Sequence, residues 1–379
     1  MVELVYTADL KSAAGARLAG SSPAFATKIK KRDFSRNEKA NWSGRYMKFG
    51  HHLGDDQVAG ILENKWPEVI EAIEEAFIDP SADMVEKIYL QGRGGDFRAM
   101  PSALHTFAAL KWIGVFPDNY QVDDPKDFDG PALPTTLGTL ILSDRHTGYT
   151  LMTMDCTTLT AYRTAATSAI AAKYCAPDAE EFAFIGCGLQ AKYHIEAYET
   201  IFNHMNMDIQ LYDKNVKAQR GLFDWVGQEN IARAWGWNKS VKETVKNADV
   251  ITTLTPSRTP YLDVFDLKSN CHINAVGADA EGKRELMTNV IDGSAYFICD
   301  DPGQAAHSGE LQYNQWPDLT IRNLPELIKM NKSMKLDEGI SIFDSTGVAI
   351  EDVAIAVLIY REFHGRIDKE FGFDLGISL

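Results

Sequence analysis

Apolar residues recur at spacings of three and four from Val58 to Phe77, through Ile61, Leu62, Trp66, Val69, Ile70 and Ile73. That period predicts one amphipathic helix over residues 55–77. Strand-like runs follow at 86–91, 97–100, 105–116 and 136–143. Residues 118–134, rich in Asp and Pro, read as a loop over a site or at an interface. Thr157 to Ala176 is an Ala-rich helix that ends before Pro177. Beyond it, runs at 182–186, 208–213, 249–255, 271–277 and 295–299 alternate with helical segments. This alternation predicts an α/β fold with a Rossmann-type, doubly wound parallel sheet. Ser341–Gly347 and an amphipathic helix through about Phe363 close the periodic part, while residues 1–45 show little periodicity and read as an extension.

A chain of 379 residues is too long for one small core, so two domains are expected. Hydrophobic content of 45% and charged content of 24% are those of an ordinary globular protein. The net charge of −15 argues against nucleic acid or an anionic membrane as a main partner. The basic run Lys28–Arg32 is a local exception, read as a solvated segment that packs on the acidic body or on a neighbouring subunit. The five cysteines (Cys156, Cys175, Cys187, Cys271 and Cys299) lack C-x-x-C spacing and sit in apolar surroundings. They imply buried thiols in a reducing compartment, with neither a disulfide framework nor a metal site. With no apolar leader and no run of about 18 apolar residues, the expectation is a cytoplasmic protein.

The densest chemical signal is Phe182-Ala-Phe-Ile-Gly186-Cys-Gly188-Leu189-Gln190-Ala191. An apolar strand runs into a glycine turn and then a helix, the G-x-G-x-x-A pattern of a pyrophosphate site. Gly186 permits the tight turn, and Gly188 lets the backbone approach phosphates. Asp208–Asp213, a second strand-like run, ends in an acid roughly 20-odd residues downstream, where a carboxylate takes ribose hydroxyls. A plain strand–turn–helix is the alternative. Asp213 favours NAD over NADP, because it would repel a 2′-phosphate; Lys214 beside it leaves NADP open.

Three further residues look chemically committed. Lys111 is a single cation inside Phe107–Phe116 and is costly to bury without an anion or a lowered pKa. It reads either as a binder of a substrate carboxylate or as a lysine snorkelling from a strand edge. Arg163, with Ala166 and Ile170 on its helix face, needs a carboxylate or phosphate if that face is buried. A ligand is the favoured partner, a structural ion pair the alternative. Asp279 follows the apolar strand end Val276-Gly277, where open α/β sheets face their ligands, or else it caps the next helix. Thr252, Thr253 and Thr255 place hydroxyls at another strand end. His105, His146, His194 and His272 lack ligand spacing and read as structural.

In order and spacing these pieces resemble the ornithine cyclodeaminase/μ-crystallin family over roughly residues 46–363. The resemblance rests on Lys111 with Pro117-Asp-Asn119, Leu142–Gly148, Arg163–Ser168, Gly186–Ala191, Asn274–Gly277, Asp279 with Gly282-Lys283 and Glu285-Leu286, and Phe343–Gly347. It implies a homodimer. It also implies a discontinuous α+β substrate and dimerisation domain (46–156 and 345–379) beside a NAD-binding domain with its leading helix (157–344). Lys111 and Arg163 fall near the substrate carboxylate and cofactor, and Lys87 and Thr346 beside the substrate. Thr135, Thr167, Gly186, Gly188, Leu189, Gln190, Thr255, Asn274, Ala275, Val276, Gly277, Lys283 and Ser345 fall where the family touches the dinucleotide.

The family chemistry implied is oxidation of an amino acid to an imine, loss of ammonia and re-reduction to a cyclic imino acid. Lys111 and Asp279 would be the catalytic pair, with Asp279 moving protons. Asp279 tilts the reading toward the cyclodeaminase branch. Arg98 departs from that branch, which has Glu two residues before the Met-Pro pair, here Met100-Pro101. A cation there disfavours a protonated diamine tail and favours an acidic substrate. An imine reductase or amino-acid dehydrogenase is therefore the competing expectation, and an idle binding protein a third.

Overall fold

The computed structural model describes residues 50–119, 133–203, 206–313, 316, 319–330 and 339–371. The expected extension at 1–45, its basic run and most of the 118–134 loop lie outside the described residues. The first half forms β1 (His51–Leu53), α1 (Asp55–Leu62), α2 (Trp66–Ile78), β2 (Asp83–Met84), β3 (Ile88–Gln91), β4 (Asp96–Leu104), β5 (Phe107–Val115), β6 (Thr136–Asp144) and β7 (Thr150–Asp155). Their sheet has the order β1-β7-β6-β5-β4-β2, with β3 also on β4, and is antiparallel except for the β1–β7 pair.

The predicted single helix over 55–77 is two. Asn64 takes a left-handed φ of 60°, and Pro67 lies in the first turn of α2. A proline is harmless there, but in a continuous helix it would lose a hydrogen bond and clash with the preceding turn. β7 is not among the predicted strands. Its inward positions are Met152 and Met154, set among threonines, which makes a weak alternation signal.

Register decides which residues reach the core. Met100 pairs with Lys111, Lys111 with Leu140, and Leu140 with Met154, so these four share one face. α10 (Ala349–Phe371) packs across that face and against α2. The opposite face carries Leu110, Trp112 and Ile141, all exposed.

The second half forms α3 (Thr157–Cys175), β8 (Glu181–Ile185), α4 (Leu189–Phe202), β9 (Asp208–Tyr212), α5 (Val216–Glu229), β10 (Ala234–Trp237), α6 (Val241–Val245), β11 (Val250–Thr253) and β12 (Asn270–Ala275). α7 (Thr288–Asp292), β13 (Ser294–Cys299), α8 (Pro302–Ser308), β14 (Ile321–Asn323), α9 (Leu324–Met330) and β15 (Gly339–Asp344) complete it before α10. The sheet is parallel throughout, in the order β10-β9-β8-β11-β12-β15-β13-β14. Strands buried on both faces, such as Phe182–Ile185 and Val250–Thr253, read as continuous apolar or Thr runs for that reason. α3 links the halves. Its buried Ala161, Ala165, Ala166, Ala169 and Ala172 let it approach α2, α4 and α10 closely. Among the described residues no helix is long and apolar enough to cross a membrane.

Candidate active site

β8, β11, β12 and β15 are neighbours, and their carboxyl ends open on one cleft of about 430 Å³. From β8 the chain winds one way to β9 and β10; from β11 it winds the other way to β12. The β8/β11 boundary is thus the switch point where open α/β sheets bind ligands. The inner face of the first sheet forms the far wall. Lys87, Arg98, Lys111, Thr135, Arg163, Gly188, Leu189, Gln190, Thr255, Val276, Gly277, Asp279, Lys283, Ser345 and Thr346 all line this cleft.

Gly186 sits at φ 102°, and a Cβ there would lie 2.8 Å from the Leu254 carbonyl oxygen. Gly188 caps α4, and a Cβ on it would meet nothing within 4 Å, so the approach to the helix N-terminus is open. Asp213 braces the turn: Oδ2 accepts from the Cys187 N–H at 2.7 Å and Oδ1 from the Asn215 N–H at 2.7 Å. Free N–H groups at a helix start, reached over a glycine, fit a pyrophosphate. Cys187 itself is not activated, since burial and Asp213 push its thiol up to about 12.

Lys111 does not snorkel. It is 1% exposed, on a central strand, with Nζ 2.7 Å from Asp352 Oδ1. Arg163 Nη1 lies 2.5 Å from Glu351 Oε2, and its Nε 3.3 Å from Asp352 Oδ1. The structural ion pair and the cleft position therefore coexist, where the sequence reading set them as alternatives. Desolvating each ion costs several kcal/mol, so the pairing at the start of α10 is what permits this burial. Burial and the neighbouring Arg163 lower the Lys111 pKa. Arg163 is held charged, because Glu351 and Asp352 outweigh its own burial.

Asp279 gathers the second cluster. Lys283 Nζ lies 2.5 Å from its Oδ1 and Arg98 Nη1 2.9 Å from its Oδ2. Lys87 Nζ donates to the Asp279 carbonyl at 3.4 Å and to the Thr346 carbonyl at 2.5 Å. Burial alone would raise the Asp279 pKa, but Lys283, Arg98 and Lys87 together hold the carboxyl far below the usual range. The half-buried Lys87 goes the other way: burial and Arg98 bring it down to about 7. Arg98 is 5% exposed and Nε-bonded to Asp96 Oδ1 at 2.7 Å, yet its buried Nη2 has no partner. Ser345 Oγ and Thr160 Oγ1, also on the cleft wall, are likewise buried without partners.

Some predicted residues stand apart from the cleft. Asn274 is fully buried; its Nδ2 donates to Ser168 O at 3.1 Å and Tyr198 Oη at 2.6 Å, and its Oδ1 bonds His272 Nε2 at 3.1 Å. With its amide spent in the core it cannot face a ligand, and Ala275 beside it is buried as well. Thr167 spends its hydroxyl on Arg163 O at 2.9 Å. Gly186 and Asp213 shape the turn from behind. His194 and His272 are structural, both hydrogen-bonded in the core and lowered to about 4 by burial.

The sequence did not single out Glu351 and Asp352, the acids behind the cations, or Asp300, and it showed Glu285 only as part of a motif with Leu286. An adjacent acid pair opening an apolar helix was the available signal for the first two. Glu285 is buried and accepts from Thr253 Oγ1, Thr255 N and Oγ1, Tyr261 Oη and Gly277 N, at 2.6 to 2.8 Å. It fastens the ends of β11 and β12 together. A Cβ on Gly277 would collide with the Thr255 carbonyl and the Glu285 carboxylate. Gly277→Ala should therefore lower the thermal midpoint by several degrees and weaken dinucleotide binding at least about tenfold, the cost of one to two kcal/mol of misfit. Calorimetry of the variant checks both.

Glu310 is fully buried, accepts from Glu285 N at 2.7 Å, and is raised to about 8 by burial and Glu285. A folded-state pKa above the unfolded one gives stability that is complete at low pH and lost as pH climbs through about 8. Glu310→Gln should match the parent near pH 5 and melt higher than it near pH 9, as scanning calorimetry across that range would register.

The sequence profile described as "Ornithine cyclodeaminase/mu-crystallin family" matches residues 56–366. Alanine dehydrogenase of Archaeoglobus fulgidus is 35% identical over 319 residues, covering 82% of this chain and 94% of that protein. Ornithine cyclodeaminase of Brucella abortus is 34% identical over 280 residues, covering 71% and 72%. An archaeal alanine dehydrogenase dimer solved with bound NAD superposes with a TM-score of 0.75 at 34% identity, covering 84% of this chain and 97% of that one.

Proposed function

The chain belongs to the ornithine cyclodeaminase/mu-crystallin family, and we propose that it is a NAD-dependent oxidoreductase interconverting a small α-amino acid and its 2-imino or 2-oxo acid. The observation that carries this reading is the charge of the cleft. Lys87, Arg98, Lys111, Arg163 and Lys283 line it, and Asp279 is the sole carboxylate among the described lining residues, already shared by three cations. A substrate carboxylate is welcome there. The protonated tail of a diamine, which a cyclodeaminase must seat, is not. This reverses the order of the two readings drawn from sequence. The cyclodeaminase reading retains Asp279 in its favour.

The Gly186–Gln190 turn and the start of α4 would hold the pyrophosphate, with Asp213 bracing that turn from behind, and Thr255, Val276, Gly277 and Ser345 would hold the nicotinamide end. When bound, the ring supplies a hydride acceptor or donor, the chemistry that the protein lacks. Arg98 Nη2 and Lys87 hold the substrate carboxylate, and Lys111 and Arg163 maintain a positive field beside it. Lys87, poised at about 7, exchanges a proton with the substrate nitrogen or oxygen near neutrality. Asp279, locked as a carboxylate, fixes Lys87, Arg98 and Lys283 and is too acidic to shuttle protons itself. The test is incubation with a panel of amino acids and NAD, following reduced-cofactor absorbance and ammonia together. Equal, steady growth of both supports the dehydrogenase. Ammonia without reduced cofactor would establish the cyclodeaminase instead.

The assembly proposed is a homodimer through the first sheet's outer face. Leu110 pairs with Ile141, and Trp112 stacks on Phe97 at 5.4 Å, leaving an apolar strip open to solvent. Leu110→Asp should move the protein from dimer to monomer in light scattering; an unchanged mass would place the interface elsewhere.

A further inference from the structure

We infer that anionic-ligand binding in the cleft is coupled to uptake of a proton by Glu351, which sits behind Arg163. Glu351 opens α10, is fully buried, and makes one ion pair, Oε2 to Arg163 Nη1 at 2.5 Å, while its Oε1 has no partner. The neighbouring Asp352 is likewise half-satisfied: Oδ1 serves both Lys111 and Arg163, and Oδ2 has no partner. Two cations and two acids thus balance behind the cleft wall, with Arg163 shared between both acids.

Charged groups face this balance from every side. Asp352 comes from α10 itself, Arg163 from α3, Asp300 from the end of β13 and Lys111 from β5. Cys156 stands beside Lys111, and Lys87, just before β3, feels Arg163. An anion that enters the cleft lined by Arg163 draws on the same positive charge that keeps Glu351 ionised. The buried acid then holds excess negative charge with an unpartnered oxygen, and a proton on Oε1 is the cheapest relief. Burial, Asp300 and Asp352 already bring Glu351 to about 7 against the pull of Arg163, so that proton is available near neutrality. Binding should consequently weaken as pH rises above about 7.

The inference rests on the dinucleotide reading of the cleft, and NADH is the probe, because its binding adds negative charge without a positive ring. Titrating the protein with NADH in Pipes and in Tris near pH 7.5 should give enthalpies that differ by the ionisation heat of roughly half a proton taken up. Glu351→Gln should bind NADH at least as tightly, with the same heat in both buffers. Lys87→Met should keep the buffer dependence. Bound NADH with identical heats in the two buffers overturns the inference. So does an uptake that survives Glu351→Gln and vanishes in Lys87→Met. No NADH binding, by heat in either buffer or by fluorescence, overturns the dinucleotide reading itself, and this inference with it.

Discussion

Asp279→Ala should lower kcat by about 10²–10⁴-fold while NADH still binds within a few-fold of the parent affinity, the range expected when acid–base chemistry is disabled. The carboxylate sits between Lys283 at 2.5 Å and Arg98 at 2.9 Å, and its backbone carbonyl receives Lys87. Removing it leaves three cations facing one another across a partly desolvated wall. Lys87, already at about 7, loses an attraction that favours its charged form and falls further. At neutral pH it no longer carries the proton it must give. The glycine turn is braced by Asp213 and not by Asp279, so it should keep its geometry. Steady-state kinetics beside NADH fluorescence titration separates the two effects. Parent-like turnover would remove Asp279 and its cation cluster from the mechanism.

Arg98→Glu carries the second large effect. Arg98 is buried and bonded to Asp96 and Asp279, and its Nη2 is the unpartnered donor on the substrate wall. Losing a buried, hydrogen-bonded charge costs ~2–5 kcal/mol, and reversal adds repulsion between the introduced carboxylate and both Asp96 and Asp279. We expect kcat/KM for the native amino acid to fall by at least about 10²-fold, or ~3 kcal/mol. Basic amino acids should gain relative to it, since the new carboxylate can pair with a cationic tail. A panel of neutral, acidic and basic amino acids, with the thermal midpoint recorded beside it, decides whether selectivity moved or the wall collapsed. An unchanged ranking of substrates would mean that Arg98 does not touch the substrate.

The parallel sheet was legible in the sequence because its strands are buried on both faces. Phe182–Ile185 is an apolar run with turn chemistry at its end, and Cys271–Ala275, though it carries the buried His272 and Asn274, lies between turn signals in the same alternation with helices. The first sheet was harder. β7 hides its core face in two methionines, and the α1–α2 break depends on Asn64 adopting a left-handed φ, which periodicity does not register.

At the cleft, the lone cation in β5 and the arginine on an Ala-rich helix were visible as costly placements and the aspartate by its place after a strand end, and the fold brings all three to one cavity. Their partners were not visible. Glu351 and Asp352 lie far along the chain from Lys111 and Arg163, so only the return of α10 onto the first sheet joins them. Asn274 is different. The family resemblance implied a dinucleotide contact there, while its side chain turns into the core, where Tyr198, Ser168 and His272 use it.

The most direct measurement is a crystal structure of the protein with NADH and a 2-oxo acid. The pyrophosphate should lie on the Gly186–Gly188 turn, the reduced ring against Val276 and Gly277, and the acid's carboxylate on Arg98 and Lys87. A dinucleotide bound anywhere else, or an acid seated away from those two cations, would contradict the proposed function.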